Sequence, residues 1–536
     1  MRHGLSERLC RHAGGASMGA LMDRLGALAL GRGFWWLALM AAILIGPSMW
    51  PVQWSGNEIN YFDLSYRFAR PDAFTDHHAV FDNSYGRLLP FLLIGKTVDW
   101  LGFEGAKTVL ALVLWIASSL GVAAVAQGIG LRLAELALGL LVFLRRQGIL
   151  GNEWLFETVE AKGFAYVAVL FGLAAGLRGR WAVAMVLAAL ATYMHFLVGG
   201  FWALAFLVLY LLKGGRLAGA LRHGLLFFVL ILPVFIILLR ERIGVSVDTS
   251  GLDMTLDQIY ARYSVLFHVA PLIDGITGFI KDWLPGLCAH LLLLAGLVAL
   301  RDRFPDRATG RWLIGLNLYV LAALAVYMAD NGSFRFAQFY LLRPEGLIYL
   351  LSLLLAAQLL FGLADNAVAR RLGVLAVLAS VLLVTPKALT NLELMVKDHP
   401  AATRMLSALT PDQRGVLDWV RENTAPEDAI LVEPVGRGTI MEGDPFPGGL
   451  ERLSGRGFIV NFKYIPTAKA DLVRWYGLIR ARLEFFRGDC AANATLGADY
   501  AVFRLKDGWG QAGGCVTPVY SNGSYMIGRV LPVVGG

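Results

Sequence analysis

Residues 54–87 read WSGNEINYFDLSYRFARPDAFTDHHAVFDNSYGR and follow the first long apolar run of the chain, at 34–50. Glu58, Asp63, Asp72, Asp76 and Asp82 are gathered there with His77 and His78, and Tyr61, Phe62, Phe68 and Phe74 are interleaved with them. Acids and aromatics beside a membrane span point to a segment folded against the bilayer surface; the plain alternative is a solvated acidic loop. The choice depends on what surrounds the stretch.

What surrounds it is apolar. Of 536 residues, 57% are hydrophobic and 16% charged, and the mean hydropathy is +0.58, well outside the soluble range. Runs long enough to span, or nearly so, lie at 34–52, 106–126, 130–144, 163–177, 181–194, 196–212, 224–240, 284–300, 312–329, 344–363 and 373–389. The expected fold is a polytopic α-helical membrane protein of about 11 transmembrane helices. Several runs fall short of the ~20 residues of an isolated span and must be sheltered in a bundle or stopped at a hydrated cavity.

The net charge of +8 is the bias of cytoplasmic loops in such a chain, and no basic stripe with stacking aromatics points to nucleic acid. Arg2, Arg8, Arg11, Arg24 and Arg32 precede the first run without a small-residue cleavage site, so residues 1–33 read as a cytoplasmic tail. The basic turns at Arg178 and Arg180, Lys213 to Arg222, Arg301 to Arg311, and Arg370 with Arg371 fall on that same side; Arg145 and Arg146 fall on the other. The transmembrane domain then covers 34–389, with extracytoplasmic loops at 53–105, 145–162, 241–283 and 330–343, and 390–536 forms an extracytoplasmic domain of a plasma-membrane protein.

That last region reads as α/β. Helices are expected at 411–423, with Val416, Leu417 and Val420 on one face, and at 468–485; strands at 429–432, 458–462 and 500–503; and a hairpin over 519–530 turning at Asn522-Gly523. It holds no nucleotide-binding glycine loop and no nucleophile motif. Cys490 and Cys515 fall on the oxidising side, and a disulfide between them is expected to contribute about 3 kcal/mol by chain entropy.

Five polar constellations carry candidate chemistry: the opening loop with Glu58 and Asp76; GNEWLFETVEAKG at 151–163, where Glu153, Glu157 and Glu160 precede Lys162; His195; Arg262 with His268 in YARYSVLFHVAP at 260–271; and Arg343. Glu157 and Glu160 would share a helical face if the span began early. Ionisable groups at span mouths are costly, which favours Glu160, Lys162, His195 and Arg343. Carboxylates suit a general base or a divalent cation, whereas Lys and Arg suit a phosphate; together they fit phosphoryl-linked lipid chemistry.

With its short spans, two acidic outer loops and outer α/β domain, the chain resembles the GT-C superfamily of integral-membrane glycosyltransferases. The strings GNEINYF at 56–62, VEAKGFAY at 159–166, HFLVGG at 195–200 and DWVRENTAPEDAILVEP at 418–434 are similar to those of uncharacterised bacterial members. The resemblance implies transfer of a sugar from a polyprenyl-phosphate donor to a glycan, lipid or protein acceptor in cell-envelope biosynthesis, with inversion, at the bacterial inner membrane. It implies Glu58 as general base, Asp76 as second loop acid and Asp63 in reserve. Glu160, Lys162, His195, Arg262, His268 and Arg343 would hold substrate, and Glu58, Asp76 and Glu160 would hold the divalent cation, Mg or Mn, that some members bind. Asn57 stands where the family pattern has an acid. A transporter or flippase for a lipid-linked sugar would use the same residue types, and an inactive assembly protein would tolerate Asn57.

Overall fold

The computed structural model describes residues 18–49, 54, 56–71, 87–151, 153–242, 245–397, 409–434, 453–460, 465–506 and 512–532. Each of the eleven apolar runs overlaps a helix over most of its described length. In chain order the long helices are α1 (Met18–Ala29), α2 (Phe34–Met49), α3 (Gly56–Ala69), α4 (Leu88–Gly128), α5 (Leu133–Arg145), α6 (Ala161–Leu177), α7 (Trp181–Met194), α8 (Phe196–Leu212), α9 (Leu217–Arg242), α10 (Leu284–Ala299), α11 (Arg307–Ala329), α12 (Glu345–Leu363) and α13 (Asn366–Lys397). Six stretches, in α4, α9, α11, α12 and α13 and over 275–299, are long and apolar enough to cross a membrane. Helices α2, α6, α7 and α8 are apolar but shorter.

Leucines on the outer faces, such as Leu204, Leu217, Leu225 and Leu382, are more than three-fifths exposed. Such a belt is stable only against hydrocarbon. Inside, one core runs from Leu37 to Leu359 across the bundle.

Two glycines shape the packing near the opening stretch. Gly102 interrupts α4 at φ 69°, a conformation open to glycine, and so splits a 41-residue helix at a kink. Gly95 lets α3 lie directly on α4, because a Cβ there would stand 2.0 Å from the Ser65 carbonyl oxygen. The opening stretch is therefore in part a packed helix, not an open loop; residues 72–86, Asp76 among them, lie outside the described set.

The bundle has two chemically distinct ends. At one, Lys213 pairs with Asp306 at 2.6 Å, Arg178 Nη2 donates to Gln127 Oε1 at 2.9 Å, and Gln358 Nε2 donates to the Ile129 carbonyl at 3.0 Å. These are the basic turns. At the other end lie α3 and the segments 146–160, 261–283 and 330–343.

Among the described residues after α13 the first element is α14 (Pro411–Asn423), capped by Thr410, whose Oγ1 accepts from Gln413 N–H while the Gln413 side chain accepts from Thr410 N–H. Then come β1 (Ile430–Val432), α15 (Lys469–Phe486), β2 (Tyr500–Arg504), β3 (Val516–Ser521) and β4 (Tyr525–Val530). The sheet order is β1-β2-β4-β3, with β1 parallel to β2 and the other pairs antiparallel. Of the expected strand at 458–462, the described residues 458–460 hold one bridge, from Phe458 to Ile430, and 461–464 lie outside the described residues. The hairpin strand starts at Val516, earlier than its apolar pattern suggested. Cys490 and Cys515 are joined by a disulfide, Cα to Cα 5.1 Å.

Candidate active site

The described residues between α5 and α6 form no helix or strand, so their backbone groups find side-chain partners. Gln147 Oε1 accepts from the N–H groups of Leu155 at 2.9 Å and Phe156 at 2.6 Å, and its amide donates back to the Phe156 carbonyl. Glu345, at the start of α12, accepts from Ile149 N–H at 3.2 Å. Further along, Trp154 Nε1 donates to Thr158 Oγ1 at 3.1 Å, and Thr158 donates to Glu160 Oε1 at 2.5 Å. The segment is thereby pinned, and it aims Glu153, Glu160 and Lys162 at one place.

Glu153 is the hub. Its Oε2 lies 3.1 Å from Lys162 Nζ, its Oε1 3.3 Å from Arg343 Nε, and His268 Nδ1 stands 3.9 Å from Oε1 while bonding the Gly151 carbonyl. Each cation is held on a second side by an aromatic face: Lys162 Nζ 3.6 Å from the Trp154 ring centroid, Arg343 Cζ 4.1 Å from that of Tyr340. Tyr340 adopts φ 45°, ψ 53°, a left-handed conformation that is costly for a bulky residue and tends to be kept where a site needs it.

Burial would raise the Glu153 pKa, but Arg343, Lys162 and His268 outweigh it and bring the carboxyl down to about 2. Burial lowers His268, although Glu153 and its bond to Gly151 oppose the shift, so its ring is neutral at pH 7. Burial also acts to lower Arg343, but Glu153 and the neighbouring tyrosines reverse this and raise it. A depressed carboxyl contributes stability in full above its unfolded pKa, near 4.3, and loses it as pH falls toward 2. The stability gap between wild type and Glu153→Gln should thus stay constant from pH 8 to about pH 5 and close in more acid solution. Thermal unfolding in detergent across that range checks it; a gap closing near neutrality would contradict the ionised hub.

These groups face a cavity of about 460 Å³, also lined by Asn57, Asn60, Tyr61, Arg87, Tyr263 and Ser264. Tyr263 and Ser264 come from a π-helical turn, Ala261–Val265, a distortion frequent at functional sites. The C-terminal domain closes one side: Ile465 lines the cavity, and Tyr263 packs edge-on against Trp475 and Tyr476 of α15.

Of the residues in the five constellations read from sequence, Glu153, Glu160, Lys162, His268 and Arg343 line this cavity. Glu58 does not: buried in α3, it pairs with Lys107 at 3.1 Å and accepts from Val159 N–H at 2.9 Å. Asp63 is buried in α3 and is not part of the lining either. Asp76 lies outside the described residues. Arg262 turns toward Met254, with Nη1 3.4 Å from its sulfur. His195, at the junction of α7 and α8, is buried apart from the lining, and neither ring nitrogen has a hydrogen-bond partner among the described residues. Glu157 is exposed, because α6 starts only at Ala161 and the helical face it would have shared with Glu160 does not form.

Among the described residues no three His, Cys, Asp or Glu side chains converge as metal ligands; Glu58 has the partners named above, and Glu160 Oε2 lies 3.8 Å from Lys162 Nζ. Asp76 lies outside the described residues, so the set Glu58, Asp76 and Glu160 is not placed as a whole, and the chemistry below is written without a metal.

Sequence reasoning named Glu153 in the string 151–163 without giving it a role, and it passed over Trp154, Tyr340 and Lys107. Lys107 carried a readable signal, an ionisable residue inside the apolar run 106–126.

No family model matches the sequence, and no curated protein matches it. Among solved structures, the chain is similar to the oligosaccharyltransferase of Archaeoglobus fulgidus in its apo form, at 12% identity over 90% of this chain and 70% of that one, with a TM-score of 0.44.

Proposed function

We propose that this chain is a membrane glycosyltransferase of the GT-C kind that moves a sugar from a polyprenyl-phosphate donor to an acceptor hydroxyl on the extracytoplasmic side. The observation that carries this reading is the convergence of Lys162 and Arg343 on one wall of the cavity, with Glu160 and aromatic faces beside them. Lys and Arg suit a phosphate, aromatic faces suit the apolar side of a sugar ring, and a carboxylate suits proton removal.

In this reading the donor phosphate sits against Lys162 and Arg343, and the sugar lies against Trp154 and Tyr61. The acceptor oxygen forms a bond to the anomeric carbon as the bond from that carbon to the phosphate oxygen breaks. The acceptor proton passes to Glu160, the electron pair leaves with the polyprenyl phosphate, and the two cations stabilise it. Attack from the face opposite the leaving group inverts the anomeric centre. Glu160 takes the base role because it faces the cavity, whereas Glu58 is engaged by Lys107. The protein would sit in the bacterial inner membrane, its basic turns in the cytoplasm and its C-terminal domain outside.

Lys162→Met and Arg343→Gln should each weaken binding of a polyprenyl phosphate by about tenfold to a hundredfold, the worth of one hydrogen bond to a charged group. Binding of a fluorescent prenyl phosphate to folded protein in nanodiscs measures this. Unchanged affinity in both variants would assign the two cations to structural ion pairing.

A further inference from the structure

We infer that Thr158 positions the base of the proposed transfer: its hydroxyl occupies Oε1 of Glu160 and leaves Oε2 as the oxygen that takes the acceptor proton. The inference rests on the glycosyl-transfer reading above and deepens it. Trp154 Nε1 donates to Thr158 Oγ1 at 3.1 Å, and a threonine hydroxyl has one hydrogen of its own to give. An indole N–H can only donate, so that hydrogen is turned toward Glu160 Oε1, 2.5 Å away. Thr158 and Glu160 are both buried, and the residue between them is held separately, Val159 N–H donating to Glu58 at 2.9 Å. The carboxylate is thereby oriented before substrate arrives.

Glu160 Oε2 is left open. It has no hydrogen bond among the described residues, and Lys162 Nζ stands 3.8 Å from it. The Trp154 ring that orients Thr158 also carries Lys162 on its face, Nζ 3.6 Å from the centroid, so one indole sets the base and the phosphate-binding cation together.

As the acceptor oxygen bonds the anomeric carbon and the bond to the phosphate oxygen breaks, the acceptor proton moves to Oε2. That proton cancels the Glu160 charge beside Lys162 while the departing phosphate gains one negative charge. The attraction of Lys162 passes from the carboxylate to the leaving group at the step that needs it. Thr158 touches no reacting atom and acts through Glu160 alone.

The test uses the full chain, in liposomes with a pool of polyprenyl-phosphate sugars labelled in the sugar, and in nanodiscs with a fluorescent prenyl phosphate. Thr158→Val keeps the shape and removes the hydroxyl; it should slow release of labelled sugar to water at saturating donor by about tenfold to a hundredfold, with prenyl phosphate affinity unchanged. Thr158→Ser returns the hydroxyl and should bring the rate to within about threefold of wild type. A hydroxyl that merely braced the segment would disturb Lys162 as well, and binding would weaken in step with the rate. Release at the wild-type rate by folded Thr158→Val, a loss of rate matched by a loss of affinity, or no recovery in Thr158→Ser overturns the inference and leaves the glycosyl-transfer reading in place. No release by wild type overturns both. If Thr158→Val does not fold, Thr158→Ala takes its place under the same expectations.

Discussion

Glu160→Gln is expected to lower turnover by about two to four powers of ten, the usual contribution of a positioned base, with the fold and donor binding retained. The substitution keeps the side-chain length, and the Gln oxygen can still accept from Thr158, whose hydroxyl donates to Glu160 Oε1. What is lost is the capacity to take a proton at the cavity wall. Rates of sugar transfer at saturating donor, measured beside donor affinity, separate the two effects. Should Glu160→Gln turn over at the wild-type rate, the base lies elsewhere, and Asp76 becomes the next residue to change.

The second large effect is one of stability. Lys107→Met should destabilise the protein by roughly 3–5 kcal/mol, because it removes the cation from a buried pair and leaves the Glu58 carboxylate without that charge in an apolar setting. Lys107 is 1% exposed and Glu58 3%, so water cannot replace the partner. The Lys107 ammonium also stands 4.6 Å from the Trp54 ring centroid, and that contact goes with it. Combining Lys107→Met with Glu58→Gln should recover much of the loss, since neither member of the pair then carries a charge. Chemical denaturation in mild detergent gives the comparison. A double variant no more stable than Lys107→Met would show that the pair is not the source of the effect.

Glu58 marks the boundary of what the sequence could tell. Its place just after the first span was legible, as was its acidic character. Its partner was not, because Lys107 lies 49 positions further on, at the start of a run that reads as membrane span. The apolar runs themselves were legible, since a bilayer imposes length and composition on every segment that enters it. So was the pairing of Cys490 with Cys515, which followed from placing both in the outer domain.

Glu153 was harder. It stood in the quoted string 151–163, yet helical spacing drew attention to Glu157 and Glu160. Only the fold brings Lys162, His268 and Arg343, from three separate segments, to one carboxylate. Convergence of that kind has no local sequence signature, whereas the position of Glu160 and Lys162 at a span mouth does.

The central claim is that the cavity breaks a bond between a sugar and a lipid phosphate. Purified protein in liposomes, given a pool of polyprenyl-phosphate sugars labelled in the sugar and extracted from bacterial membranes, tests this without knowledge of the acceptor. The account predicts slow release of labelled sugar to water, with inverted anomeric configuration, a matching amount of polyprenyl phosphate, and loss of both products in Glu160→Gln. Label that crosses the bilayer still attached to its lipid, with no polyprenyl phosphate formed, would contradict it.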